Sequence, residues 1–158
     1  MISKISILGC GWLGLPLAAK LNRIGHEVKG SVRSEGNLSK LEKNGIEAYP
    51  IDIEQELEIE NSFFNCKTLI VSIPNKNIDG HKRLIELAEK LKIEKIIFTS
   101  STSVYENSNA LIKENDLLKE TKLKNIEDLY IHSQIPCIIL RLAGLVGENR
   151  HPGNFFKN

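Results

Sequence analysis

Residues 7–19 read ILGCGWLGLPLAA, with Gly9, Gly11 and Gly14 in the spacing G-x-G-x-x-G. An apolar run, Lys4 to Leu8, leads into the first glycine and stops there, as a buried parallel strand does. Beyond it, from about Trp12 to Ile24, Leu13, Leu17, Leu21 and Ile24 share one helical face. Pro16 falls near the first turn, where a missing N–H costs little, and Gly25 suits the stop. A glycine triplet between a strand and a helix has a specific physical use. Gly9 permits the tight turn, Gly11 lets the backbone approach a pyrophosphate, and Gly14 lets the helix pack closely on the strand. N–H groups at the helix start then face the phosphates, and Trp12 and Leu13 join the glycines as expected cofactor-binding residues. The competing reading is a plain strand-to-helix turn. Cys10, between two of the glycines, reads as a small space-filler, since no neighbour in sequence would lower its pKa.

The rest of the chain keeps the same alternation. His26–Arg33 reads as a second strand, about Glu35–Asn44 as a polar helix closed by Gly45, and Ile46–Asp52 as a short third strand. Thr68–Ile73 is a strong fourth strand ended by Pro74. Leu84, Leu87, Ala88 and Leu91 form an i, i+3, i+4, i+7 stripe between His81 and Lys92. Lys95–Ser101 and Cys137–Gly144 are the fifth and sixth strands, with a helix expected over about Leu117–Tyr130. The acidic stretch Asp52–Asn61 reads as a solvated loop or helix face. Strands separated by helices of this length imply βαβ units. The expected fold is α/β: a doubly wound parallel sheet of Rossmann type with helices on both faces, in one domain over residues 1–158.

The end of the second strand bears on which dinucleotide fits. An acid about 20 residues past the glycines would bind the ribose 2′-hydroxyl of NAD. Here the chain offers Ser31, Arg33 and Ser34, a set suited to a 2′-phosphate, so NADP(H) is favoured over NAD(H). The alternative makes Arg33 a surface charge and lets Glu35 reach the ribose.

Composition bounds the remaining classes. The 158 residues are 41% hydrophobic and 26% charged, with a net charge of +1 and no basic block, so nothing argues for nucleic acid or an anionic membrane. Cys10, Cys66 and Cys137 are too few and too scattered for a disulfide framework or a zinc site, and no metal is expected. No run approaches the ~18 apolar residues that span a bilayer. The expectation is a cytoplasmic protein.

FTSSTSVY (Phe98–Tyr105) and ILRLAGLVGENRHPG (Ile139–Gly153) carry a resemblance. The chain resembles the extended and atypical short-chain dehydrogenase/reductase superfamily, and within it the NAD(P)-dependent epimerase/dehydratase-like proteins of the bacterial YeeZ type. That group combines a GxGxxG start, an STSVYG segment and an LRLAGIYGPGRHP segment, and all three have counterparts here in order. The resemblance implies that Ile73, Pro74 and Asn75 run beside the cofactor and that Asp52 lies near the adenine. It gives Ser101, with Ser100 as its neighbour, the hydroxyl that bonds a substrate oxygen, where charge develops during hydride transfer. The alternative for both serines is bonding to local backbone. Arg150 and His151 match the group's RHP and would touch an anionic or sugar part of a substrate, or else form a surface loop. The resemblance implies an oxidoreductase or epimerase acting on a nucleotide-sugar or similar small carbonyl or hydroxyl compound, and is compatible with a homodimer.

Two departures accompany it. The superfamily's acid/base pair, Tyr-x-x-x-Lys, has no counterpart: Tyr105 is followed at that spacing by Asn109, and Tyr130 by Gln134. Lys119, Lys122 and Lys124 lie in the expected region, with Lys122 or Lys124 candidates for a ribose against a solvated face. The sequence given also stops just after the sixth strand, where the group continues into the segment that shapes the substrate pocket, so that portion is expected to be missing. A second reading is therefore a non-catalytic NADP(H)-binding sensor or regulatory module. A third takes GWLGLPLA as the start of a nucleotide-sugar dehydrogenase, whose fingerprint is GxGYVGLPLA. Arg141 reads as a structural ion-pair partner.

Overall fold

The computed structural model describes residues 2–147 and 150–155, the last two by backbone alone. Six strands form one parallel sheet: β1 (Lys4–Leu8), β2 (Glu27–Val32), β3 (Glu47–Pro50), β4 (Thr68–Val71), β5 (Lys95–Ser101) and β6 (Cys137–Leu142). Their order across the sheet is β3-β2-β1-β4-β5-β6. The connection from β3 to β4 returns the chain across the centre, so the order reverses between β1 and β4. Ligand crevices in doubly wound sheets open at that reversal, beyond the carboxyl ends of the strands.

Among the described residues, four α-helices cover the sheet: α1 (Gly14–Arg23), α2 (Leu38–Glu42), α3 (Ile78–Lys90) and α4 (Lys122–Ile131). Strand alternation divides the core into two layers. On one face Ile5, Ile7, Val28 and Ile70 meet Ala18 of α1 and Leu41 of α2. On the other, Leu8, Leu69, Val71, Ile96 and Phe98 meet Leu84 and Ala88 of α3 and Ile126 and Tyr130 of α4. The expected fold class is the observed one.

The expected boundaries shift where backbone hydrogen bonds are needed elsewhere. The helix expected from Leu117 begins only at Lys122, because the preceding residues pair with the segment after β5. Leu118 bridges Tyr105, Leu117 O accepts from Glu106 N, and Lys119 N donates to Val104 O. Thr121 then caps α4 by accepting from Lys124 N at 3.1 Å. The polar helix expected over Glu35–Asn44 is shorter, a 3-10 turn at Glu35–Asn37 running into α2. Asn77 caps α3 through Gly80 N at 3.0 Å, which starts that helix three residues before His81.

Candidate functional site

The loops after β1, β2, β3 and β4 enclose a cleft of about 980 Å³ at the reversal point. Its floor is the glycine turn, and the three glycines face three different constraints. Gly9 has φ +97°, and a Cβ there would lie 2.4 Å from Ser72 O. At Gly14 a Cβ would lie 2.2 Å from Gly9 O. A Cβ at Gly11, which lines the cleft, would meet no atom within 4 Å. Two glycines thus permit the loop to close on itself, while the third leaves room for something that is not protein. A dinucleotide fits these features: the glycine turn leads into helix α1 at the point where the strand order reverses, and the positive end of the helix dipole favours a pyrophosphate there.

Ser31 holds the turn in place. Its hydroxyl accepts from Gly9 N at 3.2 Å, and its carbonyl accepts from Cys10 N. The residue lines the cleft, but its side chain is committed to the loop. Cys10 is buried, and burial pushes its thiol up to about 11, so it stays a neutral filler.

The outer wall is a charged cluster. Arg33 Nε donates to Asp52 Oδ2 at 2.9 Å, and its Nη2 lies 3.3 Å from Glu54 Oε2. Asp52 also accepts from Glu54 N at 3.0 Å, and that amide, together with Arg33, holds its carboxyl below the usual carboxylate range. Asn75 closes the cluster by donating from Nδ2 to Glu54 Oε1 at 2.7 Å. Lys40, which donates to Asn37 Oδ1 at 2.8 Å, stands on the same wall.

The loop carrying Asn75 is fixed from behind by His81. Its ring lies fully buried, edge-on against the stacked rings of Phe98 and Tyr130. Nε2 is 3.0 Å from Asn75 O, which can only accept, so Nε2 carries the proton and Nδ1 accepts from Tyr130 Oη at 2.7 Å. Desolvation depresses the imidazole below its ordinary 6.5. Between that depressed value and 6.5 the unfolded chain holds more protons than the folded one, so stability rises with pH. The His81 contribution is therefore complete above pH about 6.5 and is lost as pH falls below it. Urea midpoints taken from pH 8 to pH 5 should fall more steeply for the native sequence than for His81→Gln.

Among the residues expected to hold a cofactor, Gly9, Gly11, Trp12, Ser31, Arg33, Asp52, Ile73, Pro74 and Asn75 line the cleft. Leu13 is at the start of α1, Gly14 is packed under Gly9, and Ser34 is exposed at the edge of the 3-10 turn. Lys122 lines the cleft from the start of α4, whereas Lys124 points to Asp128 at 2.6 Å.

The residues expected at the substrate end, Ser100, Ser101, Arg150 and His151, are not among those lining this cleft, although Arg150 sits against Trp12, which does line it. Ser101 Oγ accepts from Ser103 N, capping a 3-10 turn. Ser100 is buried and donates to Glu127 Oε1 at 2.5 Å. Glu127 is itself fully buried and paired with Arg141 Nη2 at 2.9 Å, while Arg141 Nη1 donates to Tyr105 Oη at 2.8 Å. The hydrogen bonds that Arg141 donates to the Glu127 carboxylate push the guanidinium's pKa further up. Arg141 is thus an internal ion-pair partner, as its position on β6 suggests. Tyr105 and Tyr130 are both engaged inside the protein, away from the cleft. Arg150 stacks over the Trp12 ring, 4.3 Å from its centroid, and His151 Nδ1 accepts from Gly153 N.

A family model described as NAD(P)H-binding matches residues 9–156. The chain belongs to the NAD(P)H-binding family. It is 34% identical to Protein YeeZ of Escherichia coli (strain K12) over 175 residues, covering 98% of this chain and 63% of that protein. It thus spans less than two thirds of that relative's length. Among solved structures it superimposes on MoeE5 in complex with UDP-glucose and NAD, with a TM-score of 0.79 at 19% identity, covering 96% of this chain and 58% of that one. UDP-glucuronic acid 4-epimerase from Bacillus cereus in complex with NAD gives a TM-score of 0.76 at 21% identity, covering 95% and 60%. The fold is that of these epimerase/dehydratase-like proteins, and the resemblance read from the sequence holds. Among the described residues no helix is long and apolar enough to cross a membrane.

Proposed function

We propose that the chain is the dinucleotide-binding part of an oxidoreductase or epimerase acting on a nucleotide-sugar or similar small carbonyl or hydroxyl compound. The observation that carries this reading is Gly11, which lines the cleft and at which an added Cβ would meet no atom within 4 Å. In this reading the backbone from Gly9 to Gly14 holds the pyrophosphate, and Ile73, Pro74 and Asn75 run along the nicotinamide half. Asp52 faces the adenine side. A nicotinamide dinucleotide, when bound, supplies the hydride donor or acceptor.

The cofactor in this proposal is NADP(H) in preference to NAD(H), supported by the absence of an acid at the end of β2 and by Arg33 and Lys40 on the outer wall. Ser101 is assigned to the substrate oxygen and Arg150 and His151 to its anionic or sugar part, while Ser100, its hydroxyl donated to buried Glu127, is left to the internal network. The substrate-binding portion lies outside these 158 residues, a reading supported by the 63% coverage of YeeZ. The setting proposed is the cytoplasm, and the assembly a homodimer. The engagement of both Tyr105 and Tyr130 away from the cleft supports a second reading, a binding module that reports cofactor level without turnover.

Fluorescence titration with NADPH and NADH tests the cleft, and binding of neither at millimolar concentration would end both readings. Arg33→Ala should weaken NADPH about tenfold, near the value of one charge-assisted hydrogen-bonded contact, and NADH far less. Equal losses would remove Arg33 from 2′-phosphate recognition.

A further inference from the structure

Glu54 was not marked by any sequence motif, yet it is the hinge of the outer wall. Its two carboxylate oxygens serve opposite sides of the cleft: Oε2 faces Arg33 Nη2 at 3.3 Å, and Oε1 accepts from Asn75 Nδ2 at 2.7 Å. Asp52 differs in kind. One of its oxygens is tied to the Glu54 amide within its own loop and the other to Arg33 Nε, so it is a fixed partner. Glu54 reaches its partners through a longer, partly exposed side chain, and among the described residues its carboxylate is held by the Arg33 and Asn75 side chains and by no backbone amide.

We propose that Glu54 sets how far the cleft favours NADP(H) over NAD(H), because its carboxylate competes with a ribose 2′-phosphate for Arg33 and can instead accept a 2′-hydroxyl. The inference rests on the dinucleotide reading of the cleft. Charge separates the two cofactors at this wall. A 2′-phosphate is a dianion that seeks the guanidinium Nη donors, and Glu54 already holds one of them. Bringing phosphate to Arg33 either displaces Glu54 or sets two anions side by side. A 2′-hydroxyl has the opposite requirement: it needs an acceptor, and Glu54 presents one on the same wall. Arg33 therefore draws the phosphorylated cofactor in while Glu54 restrains that preference.

The test uses the whole chain, titrated with NADPH and NADH in low salt, as native protein, Glu54→Gln, Arg33→Ala and the double variant. Glutamine keeps a donor or acceptor for Asn75 and removes the charge, and the exposed position leaves folding intact, which thermal melting verifies. Glu54→Gln should tighten NADPH by about threefold to fivefold, the upper scale of one partly exposed charge interaction, and weaken NADH slightly. In the Arg33→Ala background the same substitution should shift NADPH by less than about twofold. An unchanged NADPH/NADH ratio in Glu54→Gln would overturn the proposal while the dinucleotide reading stood. A full shift persisting without Arg33 would overturn it too, by showing that Glu54 does not act through Arg33. If the native chain bound neither cofactor, the reading of the cleft itself would fall.

Discussion

Gly14→Ala should destabilise the protein by about 3 kcal/mol or more, the upper range for overpacking a close contact, and lower its melting temperature by roughly 6–12 °C. The added methyl would sit 2.2 Å from the Gly9 carbonyl oxygen, a backbone atom that cannot rotate away. To relieve the contact, α1 must move off β1 or the turn must open, and either change misplaces the amides facing the cleft. Gly11→Ala should behave in the opposite way. Its methyl meets nothing in the protein, so melting should stay within about 1 °C of native, as for substitutions away from packed features. Dinucleotide affinity should nonetheless fall by more than about tenfold, because the methyl takes the space a pyrophosphate would use. Thermal melts and NADPH titrations of the two variants separate loop packing from ligand contact. A Gly11→Ala protein that binds as well as native would show that the cradle does not hold phosphate.

That contrast also marks what could be read from the sequence. The glycine turn, the alternation of elements and the sheet class depend on patterns within a few residues, and periodicity alone exposes them. The three roles of the glycines follow from spacing, because strand, turn and helix are contiguous. The outer wall has no such local signature. Glu54 lies 21 residues from both Arg33 and Asn75, and only the return of the chain from β3 to β4 brings the three together. The acidic stretch around it reads as solvated because nothing in its composition reveals that Asp52 and Glu54 turn inward. Lys122 could have been separated from Lys124 had Thr121 been recognised as a cap, since the cap fixes which lysine stands at the helix start. Ser100 and Ser101 show the reverse case. The segment that carries the resemblance was legible, but the destinations of its hydroxyls were not, because Glu127 arrives from α4, 27 residues on.

Glu127 leads to the other large effect. It is a fully buried carboxylate whose partners come from three elements: Ser100 at the end of β5, Arg141 on β6, and, through Arg141, Tyr105 beyond β5. Removing it leaves the Arg141 guanidinium in a mostly buried setting without its counter-charge and Ser100 without an acceptor. Breaking one side of a buried pair costs about 3–5 kcal/mol, a large fraction of the roughly 5–15 kcal/mol that holds a domain folded. Glu127→Ala should therefore lower the urea midpoint strongly, with the denaturant slope unchanged if two-state unfolding holds. The loss should come from the stranded partner more than from the missing attraction. Glu127→Leu combined with Arg141→Met removes both charges and fills the same volume, so it should recover most of the midpoint. A double variant as unstable as Glu127→Ala would mean that the network is needed for its hydrogen bonds, joining α4 to the ends of β5 and β6, rather than for mutual neutralisation.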